Sequence, residues 1–133
     1  MENETRVAIS SSADIVTARQ QGRALADELG FDGSDLTVIA TAISEVARNV
    51  VMHAKQGEIL LRAVQNGNKR GIKVIARDEG PGIKNVEKAM QYGYSSGKGL
   101  GVGLPGAKWL MDDFEIETQV GEGTKVTMIK WLK

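Results

Sequence analysis

Apolar positions along the chain change period several times, and each change marks an element. Val7 and Ile9 alternate with polar residues within residues 5–10, the period of a short strand. Ser11 and Ser12 then offer an N-cap, with Asp14 in the first turn. Ile15, Ala18, Gly22, Leu25 and Leu29 follow near helical spacing as far as Gly30, a residue suited to closing a helix. A second helix is predicted from about Ser34 to Ala54, with Leu36, Ile39, Ala40, Ile43, Val46, Ala47 and Val50 as its apolar stripe. Residues 58–64 and 72–77 read as strands joined by the turn-rich residues 66–71. Beyond them come a short helix over residues 84–91, a loose stretch over 92–99, and a helix over 103–111 with Pro105 in its first turn. The chain closes as a hairpin of residues 114–120 and 125–132 across Gly121-Glu122-Gly123.

Two helices after one strand, then paired strands on either side of further helices, predict a two-layer α/β sandwich. Its helices pack on one face of a mostly antiparallel, mixed sheet. A doubly wound parallel sheet would need strands and helices to alternate throughout, and they do not. With 133 residues the chain has room for one core, so a single domain over residues 1–133 is expected.

Composition removes several classes of function. Lys+Arg and Asp+Glu both stand at 17, so no net field draws the chain to nucleic acid or an anionic membrane. The absence of cysteine excludes disulfides, thiolate zinc sites and a cysteine nucleophile, and it suits a reducing compartment. Met1-Glu2-Asn3-Glu4-Thr5 is unlike a secretory signal, and no apolar run approaches the roughly 20 residues of a membrane span. A cytoplasmic protein is the expectation. Glycine is the unusual component: ten of the 16 lie between Gly80 and Gly123. Such a cluster marks turns or close approach of backbone to a ligand.

Four short patterns could carry chemistry. Asp78-Glu79-Gly80-Pro81-Gly82 follows an apolar strand directly. A carboxylate there can accept from an amino group while the glycines turn beneath a flat ring; an acidic turn would read the same way. Gly97-Lys98-Gly99-Leu100-Gly101-Val102-Gly103-Leu104 runs into a helix, so exposed backbone N–H groups and a helix N-terminus could cradle phosphates. It lacks the Gly-Lys-Ser/Thr of a Walker loop, and Tyr94-Ser95-Ser96 is not the buried strand that precedes a dinucleotide fingerprint. Glu45, Asn49 and His53 form one ridge at a spacing of four on the second helix. Asn49 could hold a Mg²⁺ that keeps water and phosphate ligands, and Glu45 could take a proton from a hydroxyl. All three residues also suit a solvated helix edge. Gly121-Glu122-Gly123-Thr124 is the fourth pattern, and alone it is simply a good turn.

Taken in order, Glu45-x-x-x-Asn49, Asp78-x-Gly80-x-Gly82, Gly99-x-Gly101-x-Gly103 and Gly121-x-Gly123-Thr124 resemble the N, G1, G2 and G3 boxes of the GHKL ATPase/kinase superfamily. The resemblance covers nearly the whole chain and implies the Bergerat sandwich, with ATP and Mg²⁺ as cofactors. It implies Glu45 as general base, Asn49 as Mg²⁺ ligand and Asp78 as acceptor for the adenine amino group. Gly80, Gly82 and Thr124 would line the adenine pocket. The backbone of Gly99, Leu100, Gly101, Val102, Gly103 and Leu104 would hold phosphates, and residues 83–98 would form the lid.

Within the superfamily, the single histidine lies in the N box, and this length leaves no room for a phosphoacceptor hairpin or coupling domains. A bare domain of this kind resembles the bacterial anti-sigma and switch-protein serine kinases. Ala42-Ile43-Ser44-Glu45-Val46-Ala47-Arg48-Asn49, Gly101-Val102-Gly103-Leu104-Pro105-Gly106 and Trp109-Leu110-Met111-Asp112-Asp113-Phe114 look like the RsbT-type stressosome kinases. That branch implies phosphorylation of STAS-domain antagonists (RsbS/RsbR-like), then activation of a PP2C-type phosphatase (RsbU-like), with no nucleic acid or membrane partner. An anti-sigma factor with kinase activity and an ATP-gated binding module are the competing readings. The chain departs from its anti-sigma relatives in one respect: Ser95-Ser96-Gly97 supplies no lid arginine. Lys98 stands beside the loop, either as a phosphate contact or as a solvated charge.

Overall fold

The computed structural model describes residues 4–90 and 103–132. Its elements run β1 (Glu4–Ile9), α1 (Ser12–Leu29), α2 (Gly33–His53), β2 (Gly57–Asn66), β3 (Lys69–Asp78), α3 (Val86–Ala89), α4 (Gly103–Leu110), β4 (Asp113–Gln119) and β5 (Gly123–Trp131). The five strands form one sheet in the order β1-β2-β3-β5-β4, and all four neighbouring pairs are antiparallel. This is the expected two-layer sandwich; the sheet, expected to be mostly antiparallel and mixed, is antiparallel in all four pairs.

Local chemistry sets the helix ends. Asp14 Oδ2 accepts the backbone N–H groups of Ser10 and Ser11 at 2.9 and 3.1 Å, tying the strand exit to the first turn of α1. Those bonds, the Ser10 N–H foremost, hold the Asp14 carboxyl below its ordinary range. Gly30, at φ 108, closes α1 by donating to Ala26 and Asp27. The buried residues of α1 are small: Ala18, Gly22 and Ala26. A Cβ on Gly22 would overlap Ile43 Cδ1 of α2, so the missing side chain lets the two helices approach closely.

The β2–β3 hairpin is tighter than the sequence suggests. Asn66 pairs with Lys69, leaving a two-residue turn where residues 66–71 read as a loop. Gly67 alone takes positive φ, 63°, the pattern of a type II′ turn whose twist suits adjoining strands. Both strands therefore extend to the turn, despite its polar composition.

The core lies between the helices and one sheet face. Ile9, Ile39, Ile43, Ile59, Leu61, Ile72, Val74 and Met128 are fully buried there. Strand alternation puts Glu58 and Arg77 on the opposite face, where they pair as register neighbours. It also fixes which strand-end residues face the helices.

Candidate functional site

Asp78 ends β3 in phase with the buried Ile72, Val74 and Ala76, so it sits on the helix-facing side. Its register neighbour on β5 is Thr124, and the neighbour of Thr124 on β4 is Thr118. Each is in phase with core-facing residues of its own strand: Val126 and Met128 on β5, Phe114 and Ile116 on β4. One row across three strands thus carries a carboxylate and two hydroxyls. Thr124 is only 6% exposed.

The glycine turn after β3 is fastened at several points. Asp78 Oδ1 accepts the Gly80 N–H at 2.9 Å, a turn that engages one carboxylate oxygen and not Oδ2. Gly80 lies against Ala54 at the end of α2, where a Cβ would overlap the Ala54 methyl. Farther on, Pro81 O accepts the Gly121 N–H at 2.8 Å and Thr118 Oγ1 accepts the Ile83 N–H at 2.9 Å. These bonds hold the turn onto the β4–β5 hairpin. Gly123, at φ 129, runs so close to β3 that a Cβ would overlap the Asp78 carbonyl oxygen.

Helix α2 brings in the second group. The sequence suits Glu45 equally to a solvated edge, yet it is 7% exposed. Its Oε1 accepts the Gly103 N–H at 3.1 Å, and Arg48 Nη1 lies 3.4 Å from both carboxylate oxygens. Gly103 opens α4, so the carboxylate sits where that helix presents unpaired N–H groups and partial positive charge. The Arg48 pair is partly exposed and long, and orients the carboxylate more than it stabilises the fold. Asn49 follows one turn later, half-buried, while His53 is exposed at the helix end. Val50 next to Asn49 approaches Gly57, whose missing Cβ would also crowd Asp78, so the Asn49 turn and the Asp78 strand end belong to one region.

Among the predicted site residues, the fold therefore gathers Asp78, Gly80, Gly82 and Thr124 at one strand end. Glu45 and Gly103 meet directly, and Leu104 is buried behind them. Lys98, Gly99, Leu100, Gly101 and Val102, with lid residues 91–97, lie outside the described residues. Sequence reasoning missed Thr118 and the Arg48–Glu45 pair. The signal for Thr118 was present: it continues the inward phase of Phe114 and Ile116 as a polar residue.

The region suits a nucleotide. Asp78 offers an acceptor for an exocyclic amino group, and close-packed glycines let backbone form the floor. For a divalent cation, no group of three His, Cys, Asp or Glu occurs among the described residues. Asn49 would be a single protein ligand, the sparse donor set of a Mg²⁺ that retains water and phosphate oxygens. No helix among the described residues is long and apolar enough to cross a membrane.

Comparison with known proteins agrees with this geometry. The histidine kinase-like ATPase domain family matches residues 10–130. The serine/threonine-protein kinase RsbT of Bacillus subtilis (strain 168) is 48% identical over the full length of both chains. An anti-sigma F factor of Thermoanaerobacter sp. (strain X514) is 35% identical, over 93% of this chain and 90% of its own. Among solved structures, the RsbU and RsbW domains of Rv1364c from Mycobacterium tuberculosis align with all of this chain and 33% of theirs. The TM-score is 0.63 at 24% identity, which speaks to the fold. The mycobacterial sensor histidine kinase MprB aligns at TM-score 0.57 and 14% identity, over 98% of this chain and 97% of its own. The chain belongs to the histidine kinase-like ATPase domain family, the GHKL fold its four boxes resemble.

Proposed function

We propose that this chain is a cytoplasmic single-domain protein-serine/threonine kinase, which moves the γ-phosphate of ATP onto a STAS-domain protein. Once released from that partner, it activates a PP2C-type phosphatase. The observation that carries the reading is Glu45: a buried carboxylate at the opening of α4, one turn from Asn49. A 48% identical relative named as a serine/threonine kinase supports it over the whole chain.

The residues divide the work as follows. Asp78 accepts from the adenine amino group through the carboxylate oxygen that the Gly80 turn does not engage. Gly80, Gly82 and Thr124 shape the surrounding floor. Asn49 holds Mg²⁺ against the phosphates, and the backbone from Gly99 to Leu104 receives those phosphates. Glu45 takes the proton of the acceptor hydroxyl as its oxygen bonds to the γ-phosphorus and ADP departs. Lys98 contributes at most a screened charge, so Lys98→Ala should alter turnover modestly.

Asp78→Asn tests the nucleotide half. An amide can turn its donor towards the adenine amino group, so affinity should fall about tenfold to a hundredfold, or roughly 1.5–3 kcal/mol. Calorimetry on Mg-ATP reads this directly, and unchanged affinity would remove Asp78 from the adenine pocket. An anti-sigma role is the second reading, favoured by the 35% identical anti-sigma F factor. Incubation of the purified chain with a PP2C-type phosphatase and with a sigma factor separates the two. Phosphatase activation supports the kinase reading; stable sigma capture without activation supports the other.

A further inference from the structure

We propose that Thr118 is a positioning residue for nucleotide choice, turning the Thr124 hydroxyl into an obligate acceptor. The inference rests on the reading of the Asp78 row as the adenine site. A threonine hydroxyl has one proton and two acceptor positions. Thr118 Oγ1 meets three partners: the Ile83 N–H at 2.9 Å, the Gly123 carbonyl at 3.0 Å and Thr124 Oγ1 at 2.9 Å. The Ile83 N–H can only donate, so it occupies one acceptor position. A carbonyl can only accept, so the Thr118 proton goes to Gly123. The remaining contact closes one way: Thr124 donates its proton to Thr118.

Thr124 then has lone pairs and no proton for the cleft. Its register neighbour Asp78 is a carboxylate, an acceptor when ionised. The row therefore shows the 6-position of a purine acceptors alone. A 6-amino group supplies donors and is favoured, whereas a 6-oxo group meets lone pairs and is rejected. Buried Thr124 has little water to offset the mismatch. Thr118, which need not touch the nucleotide, sets this polarity through the single proton it spends on Gly123.

Inosine triphosphate is the appropriate probe, because it differs from ATP in the 6-substituent and the N1 proton. Calorimetric affinities for Mg-ATP and Mg-ITP would be measured on the full chain, on Thr118→Val, on Thr118→Ser and on Asp78→Asn. Thr118→Val frees the Thr124 proton to turn into the cleft, so the ATP-over-ITP ratio should fall about three- to tenfold, the worth of one neutral hydrogen bond. Thr118→Ser retains all three bonds and should keep the wild-type ratio. A general loosening of the Ile83 turn would weaken both nucleotides together and leave the ratio unchanged. If Thr118→Val does not fold, Thr124→Val removes the acceptor itself and should lower the ratio by weakening ATP. A wild-type ratio in a folded Thr118→Val, or in Thr124→Val, overturns the proposal. ATP affinity indifferent to Asp78→Asn would instead overturn the reading of the row, and the proposal with it.

Discussion

Glu45→Ala should leave Mg-ATP affinity nearly intact while phosphoryl transfer to the partner falls roughly 10²–10⁴-fold, the range of a positioned base. The carboxylate is buried, aimed by Arg48 and fixed by the Gly103 N–H, and so is held ready before any partner arrives. Alanine also leaves the half-buried Gly103 N–H without its acceptor, towards the low end of the about 1–3 kcal/mol that a buried group costs. Glu45→Gln separates the two effects, because its amide oxygen still accepts from Gly103 yet cannot take a proton at neutral pH. Transfer lost in both variants, with the alanine protein alone less stable, assigns chemistry to the carboxylate. A loose transition state demands little of a base, and an effect at the low end of the range would mark Glu45 chiefly as an orienter of the hydroxyl. Asn49→Ala should reduce binding and transfer together, because the metal serves both. Single-turnover transfer with partner saturating, beside equilibrium Mg-ATP binding, reads all three variants.

Gly123→Ala should be the most disruptive change at the strand end. Its φ of 129° is strained for any residue with a Cβ, and that Cβ would overlap the Asp78 carbonyl oxygen. Strain and overpacking each cost about 1–3 kcal/mol, so a loss of about 2–6 kcal/mol is expected. A chain that relieves the overlap must move β5 away from β3 where Asp78 pairs with Thr124. Nucleotide binding should therefore fall with stability, by at least the effect of Asp78→Asn. Gly121→Ala is the natural comparison: it also has positive φ, 84°, but nothing lies within 4 Å of its added Cβ. It should lose stability from backbone strain alone and retain most nucleotide affinity. Denaturant melts with and without Mg-ATP measure both, and equal losses in the two variants would discount the close approach at Gly123.

The sequence revealed the layer architecture because its periods are legible: α2 carries a continuous apolar stripe, and β5 alternates into the core. Turn chemistry was harder to judge. Six polar or glycine residues after β2 read as a loop, yet one glycine at positive φ suffices to close the hairpin in two. Asp78 and Thr124 are far apart along the chain, and only antiparallel register makes them neighbours. The burial of Glu45 was illegible for a similar reason. Helical spacing places it beside the apolar stripe, but α4, which covers it, arrives from a distant part of the chain. Thr118 carried the inward phase of Phe114 and Ile116, but its type gave that phase little weight, since threonine is an ordinary strand residue on either face. Its three partners come from two other segments, the Ile83 turn and β5.

The most direct test of the kinase reading is transfer of labelled γ-phosphate from ATP to a purified STAS-domain partner, with the modified residue mapped by mass spectrometry. Label should appear on one serine or threonine of the partner, depend on Mg²⁺, and vanish to near background with Glu45→Ala. Tight ATP binding with no label on any STAS partner would contradict the kinase reading and leave an ATP-gated binding module.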